Sequence, residues 1–306
     1  MIYTITLNPS IDYVMFTRDF DLGGLNRATT THKFAGGKGI NVSRVLKALD
    51  QTSTALGYIG GFPGEFIKNE LESADIHTDL IHVEEDTRIN VKLKGDTETE
   101  INAAGPEIST TNVEALLNQI KALTSDDYVI IAGSVPKSMP HDIYATIAQI
   151  CAEKHIPFVV DAEKSLLTQT LTYHPEFVKP NKVELEEMFD LTIKDDNDTI
   201  QAARLLMSQG AKHVLVSLGG EGAILVTVDG CYKATVPSGK VINTVGSGDS
   251  TVAGMVAGLA QNKSIEESFR QAVSCGTATA FTEDLATSEQ IAEIINKVTI
   301  TKIEGK

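Results

Sequence analysis

The run Val245-Gly246-Ser247-Gly248-Asp249-Ser250 is where the chemistry of this chain is most concentrated. It feeds into Ala253-Gly254-Met255-Val256-Ala257-Gly258-Leu259, which reads as a tightly packed helix. Two glycines let the backbone turn sharply and approach a ligand with no Cβ in the way. The bare N–H groups of a helix start attract phosphate. An acid beside them makes sense if a hydroxyl must attack that phosphate. Asp is also a favoured N-cap residue. On residue type alone, Asp249 is equally a proton acceptor or a helix cap.

Five further clusters carry polar or glycine-rich backbone at points where strands should end. Ala35-Gly36-Gly37-Lys38-Gly39-Ile40-Asn41 runs into a helix, with Asn41 one turn inside it. It suits a polar ligand, or is a plain glycine turn with a solvated lysine. It is no Walker A loop, because Lys38 is followed by Gly. Asn8-Pro9-Ser10-Ile11-Asp12 follows the first strand and is either a hydroxyl-binding edge or an Asx-Pro turn. In Lys179-Pro180-Asn181-Lys182-Val183-Glu184, Asn181 and Glu184 stand three apart on one face of a first helical turn. That pair fits Mg²⁺ held through water, or a capping box; the two are compatible. Val216-Ser217-Leu218-Gly219-Gly220-Glu221-Gly222-Ala223 is a strand, a glycine turn and another strand, and Gly133-Ser134-Val135-Pro136 follows a strand. No calcium loop, zinc helix or nucleophile elbow is present, and the seven histidines are scattered.

The elements that must position these clusters alternate. Apolar β-branched runs over 2–7, 54–59, 128–132, 158–161, 177–179, 213–218 and 223–227 predict strands. Helical patterns cover 40–49, 64–74, 113–123, 142–153, 199–209, 251–260 and 265–281. That rhythm predicts a mainly parallel sheet covered on both faces, with ligands beyond its C-terminal edge. Residues 12–34 and 88–102 break the rhythm with period-two patterns around Gly23-Gly24 and Gly95-Asp96. They predict a small antiparallel sheet beside the main one, used as a lid or left as two surface hairpins. The chain has 306 residues, 42% hydrophobic, and 41 acidic against 26 basic side chains, for a net charge of -15. Such acidity argues against nucleic acid or an anionic membrane as the main partner. Three distant cysteines and a strand-like N-terminus predict a cytoplasmic protein without disulfides.

Taken in order, N-P-S-x-D, G-G-K-G-x-N, G-S-x-P, K-P-N-x-x-E, S-L-G-x-x-G and G-x-G-D resemble the ribokinase-like sugar kinases. Within them the match is to the phosphofructokinase B group, over about residues 1–281. The resemblance implies one ribokinase-like α/β domain over 1–306: a three-layer α/β/α sandwich with a small antiparallel β lid. Thr87-Arg88-Ile89-Asn90-Val91-Lys92, with Glu98-Thr99-Glu100-Ile101-Asn102, is most similar to the bacterial fructose-1-phosphate kinases of this group. Tagatose-6-phosphate kinases are the close alternative. Three positions depart from the pattern: Ser247, where Ala is usual, Ser138, and the stretch Asp161-Ala162-Glu163-Lys164-Ser165, which leaves a role for Lys164 open.

What the resemblance implies is ATP-dependent phosphorylation of fructose 1-phosphate to fructose 1,6-bisphosphate. Asp249 would take the proton of the attacking hydroxyl, and the amides of Gly246, Ser247, Gly248 and Asp249 would form an anion hole. A helix N-terminus should keep that Asp ionised and only weakly basic. Asp12, Gly37, Asn41, Asn90 and Ser134 would hold the sugar, and Lys38, Arg88 and Arg27 its phosphate. Lys179, Asn181, Ser217, Gly219 and Gly222 would line the nucleotide side, and Glu184 with Asn181 would organise Mg²⁺. The resemblance leaves a monovalent cation open and implies a homodimer paired through the lid. A sugar-phosphate sensor that has lost catalysis is the rival from another class, disfavoured because Asp249 and the Asn181/Glu184 pair are intact. A nicotinamide dehydrogenase is disfavoured because no dinucleotide fingerprint follows a strand.

Overall fold

The computed structural model describes residues 1–304 except Asp19 and Asp96, so the turn expected at Gly95-Asp96 lies partly outside the described residues. The chain opens with β1 (Ile2–Thr6), β2 (Ser10–Phe16), β3 (Thr30–Gly36), α1 (Lys38–Ala48), β4 (Ser53–Ile59) and α2 (Gly61–Ser73). There follow β5 (His77–His82), β6 (Arg88–Lys94), β7 (Glu98–Ile101), α3 (Thr110–Ala122), β8 (Tyr128–Ala132) and α4 (Ile143–Glu153). Next are β9 (Phe158–Asp161), α5 (Lys164–Thr168), β10 (Phe177–Val178), α6 (Lys182–Phe189), α7 (Asp196–Ser208) and β11 (His213–Ser217). The chain closes with β12 (Ala223–Thr227), β13 (Gly230–Thr235), α8 (Ser247–Ala260), α9 (Ile265–Ala280), α10 (Ser288–Ile295) and β14 (Thr299–Ile303).

Ten strands form one sheet in the order β14-β13-β12-β11-β10-β9-β8-β1-β4-β5. It is parallel from β11 to β5, and antiparallel at β12, β13 and β14. Strand β1 is the switch point. The chain leaves it toward β4 and β5, then resumes on its other side at β8. Ligand crevices form at such points, beyond the C-terminal strand ends. One face packs Leu116, Ile120, Tyr144, Ile147, Ile200 and Leu206 from α3, α4 and α7. The other packs Val42, Val45 and Leu46 of α1 against Val252, Val256 and Phe269 of α8 and α9. Among the described residues no helix is long and apolar enough to cross a membrane. All three cysteines are free and buried.

The second sheet has the order β3-β2-β6-β7. It is two antiparallel pairs, β2–β3 and β6–β7, joined along a parallel β2–β6 seam. The period-two patterns predict the strands but carry no sign of that seam, which joins residues nearly eighty apart. The seam sets Asp12 beside Asn90 and Ser10 beside Arg88. Ile11 and Ala35 root this sheet on Ile67 and Leu71 of α2.

Helix α8 begins four residues earlier than the apolar pattern suggests, at Ser247. Gly246 makes this possible by adopting a left-handed φ of 78° at the N-cap. The helix is then fixed by close packing on α9. A Cβ at Gly254 would stand 2.7 Å from Ala272 Cα, and one at Gly258 2.7 Å from Ser268 Cα. Side chains would force these helices apart and move the glycine loop.

Candidate active site

Asp249 lies in the first turn of α8 and is 6% exposed. It does not cap the helix: no side chain caps α8. Its Oδ2 instead accepts a hydrogen bond from Asn41 Nδ2 at 2.8 Å. Asn41 comes from α1, whose N-cap Gly37 has φ 123°. The two glycine clusters, more than two hundred residues apart, thus meet at one carboxylate. The Ser247 amide donates to Thr244 O at 3.2 Å. The amides of Gly246, Gly248 and Asp249 make no hydrogen bond within the described residues. Those are the donors available to an anion.

Beneath this loop is a charge cluster that residue order does not reveal. Asp161, at the C-terminal end of β9 and 5% exposed, stands between two lysines. Lys38 Nζ is 3.2 Å from Asp161 Oδ2, and Lys179 Nζ is 3.6 Å from Oδ1. A Cβ at Gly248 would stand 3.0 Å from Lys179 Nζ, so that ammonium lies against the loop backbone. Burial pushes Asp161 up, but Lys179 and Lys38 more than offset it and hold the carboxyl below its usual range. Asp249 goes the other way. Burial first, then the negative Asp161, raise it to about 6, despite Lys38, Asn41 and Lys179. The weak basicity expected of an Asp at a helix N-terminus is therefore corrected: desolvation of a fully buried carboxyl outweighs the dipole. Two nearby carboxyls pushed apart in this way divide the labour, one fixed as an anion and one able to accept a proton near neutrality.

Under the small sheet lies a cavity of about 360 Å³, lined by Asp12, Phe34, Asn41, Lys92, Val245 and Gly246 among others. Asp12 Oδ1 accepts from Ser10 Oγ at 2.8 Å and Asn90 Nδ2 at 3.1 Å, and Lys92 Nζ stands 3.2 Å from Oδ2. A hydroxyl-bearing ligand here would touch Asp12 and Asn41; Asp249 does not line the cavity but stands directly behind Asn41, its hydrogen-bond donor. Arg88 does not line this cavity; it clamps the rim. Its Nη2 donates to Asn8 O at 3.0 Å and Nη1 to Ala103 O at 3.2 Å, and burial lowers its pKa. Asn8 Nδ2 in turn donates to Ser134 Oγ at 3.4 Å. Arg27 is exposed on the connection between β2 and β3. Lys38, grouped with Arg88 and Arg27 from the sequence, is ion-paired with Asp161, its side chain 40% exposed.

On the other side of the loop, Asn181 pairs with Ser217 in a parallel bridge. Gly219 and Gly222 form the turn between β11 and β12, with φ of 60° and 92°. A second cavity of about 320 Å³ borders Asn181, Ser217 and Gly219. Asn181 and Glu184 make the full capping box, with reciprocal bonds of 2.8 Å. Glu184 lies close enough to act on the Lys38 charge. Among the described residues no group of three His, Cys, Asp or Glu could hold a metal alone. A lone carboxylate beside a phosphate site suits Mg²⁺, which keeps water and takes most other ligands from substrate phosphates. Lys164, left open by the sequence, pairs with Glu187 at the surface. The residue that sequence reasoning missed is Asp161, for which a lone acid ending an apolar strand at the sheet's ligand edge was the available signal.

An α/β sheet with a small sheet over its ligand edge, free helix-start amides and a buried carboxyl beside them is an arrangement that suits phosphoryl transfer. The family described as pfkB family carbohydrate kinase matches residues 5–292, and the chain belongs to it. The chain is 46% identical to the 1-phosphofructokinase of Bacillus subtilis (strain 168), covering 99% of this chain and all of that one. It is 34% identical to the D-tagatose-1-phosphate kinase of Bacillus licheniformis, covering 99% and 100%. A Staphylococcus aureus structure assigned provisionally as a phosphofructokinase is 62% identical over both full chains, with a TM-score of 0.90. Phosphofructokinase-2 of Escherichia coli, solved with substrates and products, has a TM-score of 0.91 at 29% identity over 96% and 98%. The protein is an ATP-dependent phosphosugar kinase.

Proposed function

We propose that this kinase transfers the γ-phosphoryl of ATP to the 6-hydroxyl of fructose 1-phosphate, giving fructose 1,6-bisphosphate. The observation that carries the site assignment is Asp249, buried at the start of α8 behind Asn41 of the cavity wall, with a pKa raised to about 6. At neutral pH it is ionised yet basic enough to accept the hydroxyl proton as the O–P bond forms. A loose phosphoryl-transfer transition state asks more for orientation and charge than for strong deprotonation. The free amides of Gly246, Gly248 and Asp249 supply donors for the migrating phosphoryl, backed by the Lys179 ammonium. Such preorganised donors are worth roughly 3 to 4 kcal/mol each. Lys38 adds the second positive charge beside Asp161.

Asp12, Asn90 and Asn41 hold sugar hydroxyls, with Gly37 and Ser134 shaping the walls, and Arg88 offers its remaining N–H groups to the sugar's phosphate. Ser217, Gly219, Gly222 and Asn181 form the nucleotide side. Glu184 would hold Mg²⁺ through water, and the metal would offset the charge of the ATP phosphates. One domain spanning the chain and working in the cytoplasm is the simplest organisation consistent with these pieces. A coupled ADP-release assay on fructose 1-phosphate, tagatose 6-phosphate, fructose 6-phosphate and fructose tests the substrate. Fructose 1-phosphate should have the highest kcat/KM by at least tenfold; preference for any other sugar refutes it.

The protein is further proposed to be a homodimer through the lid. The face of the small sheet turned away from the cavity carries Ile89 and Ile101, the latter 57% exposed, beside the half-buried Tyr13, Met15, Val91 and Leu93. Sedimentation velocity at micromolar concentration should give twice the 32.9 kDa chain mass, and a monomer would end this part of the proposal.

A further inference from the structure

Strand β6 places Arg88, Asn90, Lys92 and Lys94 on one face of the small sheet, because side chains alternate along a strand. Lys92 is 8% exposed, and lysines are almost never so buried unless paired. In register it stands opposite Val14, one step beyond Asp12, so its long stem reaches back diagonally to the carboxylate. Its ammonium is 3.2 Å from Asp12 Oδ2 and 3.7 Å from Glu100 Oε1 on β7. Ser10 and Asn90 occupy Oδ1 of the same carboxylate. They are neutral and fix its orientation without cancelling its charge. Lys92 is the group that does both.

We infer that Lys92 is a positioning residue for sugar binding: it holds Asp12 for the sugar hydroxyls and compensates its charge when substrate closes the cavity. The inference rests on the proposed role of Asp12. A ligand filling the cavity strips water from Asp12, and a desolvated carboxylate without a cation is costly. With Lys92 in place, compensation exists before substrate arrives, so its loss must appear in substrate affinity. The ammonium is committed to two carboxylates, whereas Arg88 spends its fork on backbone carbonyls. Lys92 therefore acts through Asp12 on the sugar, not on its phosphate, and should matter equally to a sugar without one.

The test uses whichever phosphosugar the full-length enzyme turns over best, with the dephosphorylated sugar as competitive inhibitor. Lys92→Met should raise the KM for the phosphosugar at least tenfold and the Ki of the plain sugar by a similar factor. The KM for ATP should stay within twofold, and kcat should fall far less than KM rises. Lys92→Arg should recover most of the loss. In the Asp12→Asn background, Lys92→Met should add less than twofold, which keeps the inference testable even if the single variant is poorly stable. An unchanged phosphosugar KM overturns the inference, as does a rise for the phosphosugar alone, which would put Lys92 on the phosphate. Additive losses in the double variant overturn it too. If the unaltered enzyme works but prefers another phosphosugar, the fructose 1-phosphate reading falls while this test still decides the role of Lys92.

Discussion

Replacing Asp249 with Asn should lower kcat by about two to four orders of magnitude, the range for a positioned acid–base group. Asn keeps the shape, and its side-chain oxygen can still accept from Asn41, as Asp249 does at 2.8 Å. Affinity for ATP, measured by calorimetry, should change less than threefold, because the loop amides and Lys179 remain. The same substitution should stabilise the protein at alkaline pH. The Asp249 pKa is raised in the fold, from 3.8 to about 6. A carboxyl of that kind favours the folded state below its unfolded value, and loses that contribution as pH rises through about 6. At pH 8 the wild type holds an ionised carboxylate that the fold disfavours, at a cost of up to about 3 kcal/mol. Denaturant melts should therefore show Asp249→Asn more stable than wild type at pH 8 and nearly equal to it at pH 4. A variant with near-normal turnover, or no gain in stability at pH 8, would remove the basic role assigned to this carboxyl.

Much of this site can be read in the sequence because its parts are local. Each glycine cluster, each strand end and the Asn181-to-Glu184 capping box is a short-range pattern, and each stands where a strand meets a turn or a helix. The apolar strands of the parallel sheet were legible because both their faces are buried. Strands β5, β13 and β14 were not, because they lie at or near the sheet edges and mix polar with apolar residues; β5 reads His77-Thr78-Asp79-Leu80-Ile81-His82. What one dimension hides is which charges meet. Asp161 and Lys179 stand at the ends of the neighbouring strands β9 and β10, while Lys38 opens α1, and their contact depends on how α1 is set against the main sheet. The pairing of Lys38 with Asp161 therefore has no signature in the order of residues. The basicity of Asp249 is hidden for a similar reason. A helix start is visible in sequence; complete burial beside a second carboxylate is not.

Removing Asp161 should do the most damage of any change outside the reacting groups, and the damage should have a sign. Asp161→Ala leaves the ammoniums of Lys38 and Lys179 facing each other without their shared anion. Breaking a buried pair from one side costs about 3 to 5 kcal/mol. The lower end applies, because Lys38 is 40% exposed at its side chain and can turn to water, while Lys179 cannot. Since the Asp161 pKa is depressed, its contribution is present above the unfolded carboxylate value of about 3.9 and fades as pH falls through the folded one. The stability gap between wild type and variant should thus be full at pH 7 and narrow toward pH 3. Asp161→Asn, which keeps volume and one acceptor, is the variant for kinetics. The wild-type kcat/KM should fall on its acidic side through about pH 6, where Asp249 takes up a proton. Without Asp161, Asp249 loses the negative neighbour that raises its pKa, and both lysines act on it unopposed. The acidic limb must then move to lower pH. Lys38→Met removes a positive charge from the same carboxyl, so its limb must move to higher pH. A merely structural cluster would shift neither limb. Opposite displacements in the two variants would identify Asp161 as the fixed anion against which the basicity of Asp249 is set.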